Sequence, residues 1–379
     1  MNLPLIPAIV WSSVVTAVAC SLVGTFLVLR QMSMLSEALS HSMLPGLILG
    51  LMFLGPMGSP QLILGPAVIG LVTVLLVEGL SNTRVLAGDS PLGLIYPFLF
   101  SIGVVLLSRR FADMPITETS VLIGDINFAA ATRMYAGEML LGPRPLVVMG
   151  AILILNAVFL ALFFKELKIT TFDPSLAGSS GFPPTLVHYV LMTLVSITIV
   201  GAFEAVGAVL VVAFLIGPSA SAYLLTRRLH TMVFMAVGIA AGSAWLGFRL
   251  AYITDSATSG TMAMVIGMVF LLTAVAAPHR GIIARSIRHR KNRKLFAEQM
   301  LMLCLEHHGG GQSRPCNVDF GNLDALASHI GWEREATESV LSRCISKRYI
   351  TGHHGVFVLT DHGRQKLQLL EGIVGKTTS

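Results

Sequence analysis

Between residues 5 and 277 the chain alternates long apolar runs with short polar breaks. Each run is close to the ~20 residues that an α-helix needs to cross a bilayer. No other feature constrains the fold so tightly. In hydrocarbon every backbone N–H and C=O must find its partner inside the structure, and for runs of this length the helix is the form that does so. The runs fall at about 5–29, 37–54, 61–80, 91–108, 145–164, 185–203, 205–224, 231–253 and 260–277. Only Phe203-Glu204 marks the break between the sixth and seventh, and Pro218 with nearby glycines permits one of them to be broken or re-entrant, so the expected count is eight or nine. Charged residues make up 12% of the chain, against roughly 25% in soluble domains. The first run has no charged segment before it and no small-residue cleavage site, so it reads as a span and not as a removed signal peptide.

Basic residues set the orientation, because Lys and Arg concentrate on the cytoplasmic side of short loops. Lys165 and Lys168, Arg227 and Arg228, and the run from Arg280 to Lys294 belong inside. With nine spans the N-terminus is outside and the C-terminus inside. The segment 109–144 falls outside despite Arg109, Arg110, Arg133 and Arg144, which Asp113, Glu118, Asp125 and Glu138 balance. Cys20 lies in the first span, and Cys304, Cys316 and Cys344 face a reducing cytoplasm, so no disulfide framework is expected. The net charge of +6 follows from the cytoplasmic rim, and it needs anionic membrane lipids rather than nucleic acid as its partner.

Composition changes after Pro278. The expected organisation is a membrane domain over 1–280, a basic amphipathic linker over 281–294 and a small cytoplasmic α+β domain over 295–379. In that last part a helix is expected over 294–307, another over 333–347 with Ala336, Val340, Leu341 and Ile345 inward, a hairpin over 349–360 and a closing helix from Asp361. That order is winged-helix-like. The helix that would read DNA opens with Glu333, Glu335 and Glu338, and carboxylates oppose phosphates, so a regulatory or protein contact is favoured over DNA. Cys304, His307, His308 and Cys316 match no strong zinc spacing. The tail Gly372-Ile-Val-Gly-Lys-Thr377 lacks the spacing of a phosphate loop.

The chemistry concentrates at Glu37 and His41. They stand four residues apart in an apolar segment, one turn apart on the same helix face. A carboxylate and an imidazole so placed form half of a divalent-metal site; the same pair also serves as polar glue between helices. Ser33, Ser40, water or a symmetry mate are the further donors such a half-site needs. Glu204, at the break between the sixth and seventh runs, either draws cations to the outer mouth or answers a helix dipole. Asp255 reads as a solvated loop residue and Asp89 as a helix cap.

Four stretches carry a resemblance to the membrane permeases of manganese/zinc/iron ABC importers: Val28–Gly46, Gly88–Gly93, Thr171–Gly178 and Phe203–Ala222. The likeness runs over about residues 5–280. The C-terminal part resembles the winged helix of iron/manganese-dependent repressors. The resemblance implies an all-α polytopic plasma-membrane fold of eight or nine spans followed by the cytoplasmic winged-helix-like domain. It implies a transport subunit with no permanently bound cofactor that moves Mn²⁺, Zn²⁺ or Fe²⁺ past Glu37 and His41, with Glu204 as a further metal contact. The family usually has Asp at the position of Glu37. Phe172, Asp173, Pro174 and Gly178 fall in the loop that docks on a separate cytoplasmic ABC ATPase. An extracytoplasmic metal-binding protein and a second permease chain are the other partners implied. The rivals are a permease fused to a metal-responsive DNA regulator and a proton-coupled secondary transporter, for which no inverted repeat is evident. A metalloprotease would need H-E-x-x-H, which is absent.

Overall fold

The computed structural model describes residues 5–53, 64–83, 90–110, 133–136, 139–278, 281–308, 330–353 and 356–367, with isolated positions 126, 129, 327 and 328. The helices are α1 (Leu5–Leu29), α2 (Ser33–Phe53), α3 (Leu64–Asn82) and α4 (Ser90–Arg110). A short antiparallel pair follows, β1 (Arg133–Ala136) and β2 (Met139–Pro143). Then come α5 (Arg144–Leu162), the short α6 (Phe164–Phe172) and α7 (Pro174–Ser179), and α8 (Pro184–Val206), α9 (Ala208–Leu225), α10 (Leu229–Thr254) and α11 (Thr258–Ala276). The chain falls into two units, 1–282 and 283–379.

Among the described residues, eight helices of the first unit are long and apolar enough to cross a membrane: α1, α3, α4, α5, α8, α9, α10 and α11. α2 is just as long, 21 residues, but it carries Glu37, His41 and four serines, which lower its hydropathy. A helix that spans by length yet not by hydropathy needs neighbours, and α2 has them in α3 and α4. α1 packs against α5, α8, α9 and α10, and its Cys20, Val23 and Leu27 are fully buried.

Close packing between these helices rests on small residues, since lipid gives apolar faces no hydrophobic reason to associate. A Cβ on Gly24 of α1 would overlap the carbonyl of Leu215 in α9, and Gly46 and Gly50 of α2 meet Gly65 of α3 backbone to backbone. One fully buried amide adds a polar tie: Asn156 of α5 donates to the Thr198 hydroxyl of α8 at 2.9 Å.

Three sequence boundaries shift. α2 begins at Ser33 and not near 37, so Glu37 lies in its second turn. The break after α8 is at Gly207, which adopts φ 84°, a conformation that only glycine takes without strain; Glu204 is therefore inside the last turn of α8. α9 is a continuous helix through Pro218, not a broken one.

The second unit is built on α12 (Ile282–His308), α13 (Arg334–Ser346) and the antiparallel pair β3 (Ile350–His353) and β4 (Val356–Leu359), with helix again over 361–367. The expected linker at 281–294 is the first half of α12. α13 buries Val340 and Leu341 as expected, together with Thr337 and Cys344; Ala336 and Ile345, expected inward, are exposed, because the buried stripe is the narrower one from Thr337 to Cys344. Leu301, Met302 and Leu305 of α12 close this small core with Ile350, Leu359 and Leu367. Within it the carboxylate of Glu298 takes Lys347 Nζ at 2.7 Å and Arg343 Nε at 3.5 Å. Thr360 caps the closing helix by accepting from Gly363 N–H at 3.1 Å. Cys316, the Gly-rich loop at 309–312, Asp89 and the Gly372–Thr377 tail lie outside the described residues.

Candidate functional site

α1 turns into α2 through three residues. Gln31 takes a left-handed conformation at φ 59°, and Met32 N–H reaches back to Leu27 O at 3.0 Å. This tight reversal fixes where α2 starts and which face it presents. Ser36 and Ser40 are buried, Glu37 is exposed on the single chain, and His41 is half-buried. The His41 ring stacks on Tyr96 of α4 with centroids 5.6 Å apart and 26° between planes, and meets the edge of Phe100 at 6.1 Å. The two aromatic rings hold the imidazole on one side, and Glu37 stands one turn below it toward the start of α2.

Of the serines expected as extra donors, Ser40 gives its proton to Ser36 O at 2.9 Å and packs inward. Ser33 is the first residue of α2. Pro45 interrupts the backbone hydrogen bonding of α2 one turn beyond the pair. Pro45 sits inside α2 and has no N–H, so the carbonyl of His41, four residues back, lacks the donor it would have in a regular helix. That oxygen and the imidazole belong to the same residue. Gly103 of α4 lets the two helices close at this point, where a Cβ would run into Pro45 Cδ and N at 2.8 Å. Among the described residues no three His, Cys, Asp or Glu side chains converge. A cation held here completes its shell with water, backbone oxygen or groups from another chain.

Glu204 lies elsewhere. Its carboxylate pairs with Arg144, the first residue of α5, at 2.8 Å. Asp255 ends α10 in a left-handed conformation at φ 49°.

Phe172, Asp173, Pro174 and Gly178 form the joint between α6 and α7. Asp173 closes α6 and opens α7, accepting from the Ser175 hydroxyl at 2.6 Å and from Leu176 N–H at 2.9 Å. Those two bonds hold its carboxyl below the usual carboxylate range. A depressed value means that the cap is ionised at neutral pH and is lost only as the pH falls through that lowered value. Leu167 and Ala177 anchor the two helices inward, while Phe172 is 62% exposed and Leu176 53% exposed. Open space surrounds Gly178. The result is a rigid, capped corner with two large apolar side chains pointing away from the bundle.

A sequence profile described as "ABC 3 transport family" matches residues 2–277. The chain belongs to the ABC 3 transport family. It is a multi-pass membrane protein and a transport subunit, not an enzyme. It is 37% identical over 357 residues to the zinc transport system membrane protein TroD of Treponema pallidum, covering 94% of this chain and 96% of that one. It is 36% identical to the manganese transport system membrane protein MntD of Bacillus subtilis, covering 74% of this chain and 95% of that one. Its fold is that of a chain in the solved structure of PsaBC from Streptococcus pneumoniae in complex with Fab, with a TM-score of 0.62, 24% identity, and cover of 76% of this chain and 96% of the other. The match to MntD takes in about as much of this chain as the first unit, whereas the match to TroD takes in most of the second unit as well.

Proposed function

We propose that this ABC 3 permease imports divalent transition metal ions, Mn²⁺, Zn²⁺ or Fe²⁺, past Glu37 and His41. The observation that carries the reading is the Glu37–His41 face of α2, open on the single chain and backed by Tyr96 and Phe100. Relatives named for zinc and manganese transport agree with it. Glu supplies a hard oxygen and His a borderline nitrogen, a set that suits all three metals and separates them poorly. An ion moving along this face exchanges part of its water for these two groups and is released again, because so few protein ligands hold it weakly.

The exposed pair implies a second permease chain against this face, so that the path lies between two chains. The α6–α7 corner is the dock for a separate ABC ATPase, with Phe172 and Leu176 entering its surface and Asp173 keeping the corner rigid. A metal-binding protein outside delivers the ion. Glu204 contributes to the outer mouth only after its carboxylate leaves Arg144, which makes it secondary to the pair. We read the second unit from its residue pattern as a winged-helix-like cytoplasmic domain; its described part holds helices and one antiparallel hairpin. Glu333, Glu335 and Glu338 are exposed on or beside α13, and this charge favours a regulatory protein contact over DNA.

Elemental analysis of cells identifies the cargo. Cells expressing the permease with its ATPase and binding protein are expected to gain one of manganese, zinc or iron over cells lacking the permease. A result in which none of the three rises would contradict metal import.

A further inference from the structure

A second polar cluster lies at the end of the bundle where α1 turns into α2, and Arg30 is its centre. The guanidinium reaches three groups: Nη1 donates to His188 Nδ1 at 2.8 Å, Nη2 to the Thr170 hydroxyl at 3.2 Å and Nε to the Thr171 hydroxyl at 3.3 Å. The other ring nitrogen of His188 bonds the carboxylate of Glu78 in α3. The Tyr189 hydroxyl also bonds Glu78. Arginine has donors only, so His188 must accept at Nδ1 and carry its proton at Nε2, which it gives to Glu78. The ring thus links a cation to an anion in a sheltered place: the His188 and Glu78 side chains are 20% and 22% exposed.

We propose that Arg30, His188 and Glu78 are positioning residues of transport, which tie the ATPase-docking corner to the helix that carries Glu37 and His41. The proposal rests on the reading of α6–α7 as the dock. Thr170 and Thr171 are in the last turn of α6, next to the corner. Arg30 is three residues from the first residue of α2, across the tight turn at Gln31. Glu78 is on α3, which meets α2 backbone to backbone through Gly46, Gly50 and Gly65. A displacement of α6 therefore reaches α2 by two routes, one along the Arg30 turn and one through His188 and α3. Polar contacts of this kind have discrete made and broken states, whereas apolar helix faces slide.

The test uses the complete importer in proteoliposomes, with Mn²⁺ and Zn²⁺ uptake and ATP hydrolysis measured together. His188→Ala and Glu78→Gln are expected to lower metal moved per ATP by about fivefold or more, the low end of allosteric coupling, with the ATPase still bound. His188→Gln, which keeps an acceptor for Arg30 and a donor for Glu78, is expected to preserve most of the ratio; a purely space-filling role would not distinguish it from other substitutions of its size. If His188→Ala does not assemble, Arg30→Lys, which keeps the charge but loses the fork, is expected to lower the ratio in an assembled transporter. An unchanged ratio in the assembled variants, or a fall in His188→Gln as deep as in His188→Ala, overturns the proposal. Failure of the docking reading looks different: Phe172→Asp with Leu176→Asp would then leave ATPase binding intact.

Discussion

Pro45 shows how one residue alters the backbone four positions away. By lacking an N–H it leaves the His41 carbonyl free of its helical partner, at the same residue whose imidazole stacks on Tyr96. Proline in a helix interior costs about 3 kcal/mol, part of which neighbouring helices recover in a membrane. Pro45→Ala restores the donor. The expected outcome is a permease whose thermal melting is unchanged or higher; a lower melting temperature would show that α2 needs the proline for its close packing at Gly103. The pair itself was legible from residue types at a spacing of four, because helical geometry puts i and i+4 together whatever the tertiary fold. The aromatic backing of His41 was not legible, since it depends on how α4 lies against α2. The Arg30 relay escaped for the same reason: its partner His188 is 158 residues away, and Glu78 a further 110 from His188.

At the scale of elements, apolar run length was enough to read the bundle helices, and the errors sit where chain geometry decides over hydropathy. The start of α2 is set by the Gln31 turn and the end of α8 by Gly207, and neither leaves a mark in hydropathy. The stripe on α13 was read correctly at Val340 and Leu341 and too wide at its ends, where Thr337 and Cys344 are inward in place of Ala336 and Ile345. Helix contacts give a sharper expectation. Gly24→Val places side-chain atoms on the Leu215 backbone, which cannot move aside as a side chain can. Overpacking of this kind costs about 1–3 kcal/mol, so melting of the purified permease is expected to fall. Gly238→Ala, where open space surrounds the position, is the control and is expected to melt as the wild type does.

For the whole molecule, the family match falls within the first of the two units. The family match ends at residue 277, and MntD, whose match covers 74% of this chain and 95% of its own length, has its counterpart in the bundle. Truncation after residue 281 is therefore expected to leave a folded permease that still supports metal uptake with its partners, with altered response to metal supply. Loss of uptake in a well-assembled truncated transporter would make the second unit part of the transport cycle itself.

The central claim is that the ion passes Glu37 and His41. Its most direct test is the initial rate of ATP-driven Mn²⁺ and Zn²⁺ uptake into proteoliposomes containing the complete importer, with wild type, Glu37→Gln and His41→Ala at matched abundance. Each substitution is expected to lower the rate about tenfold or more, the scale at which metal sites respond to a lost supporting group, while the ATPase stays bound. Uptake at the wild-type rate in both variants would contradict the account and return the pair to a role in helix packing.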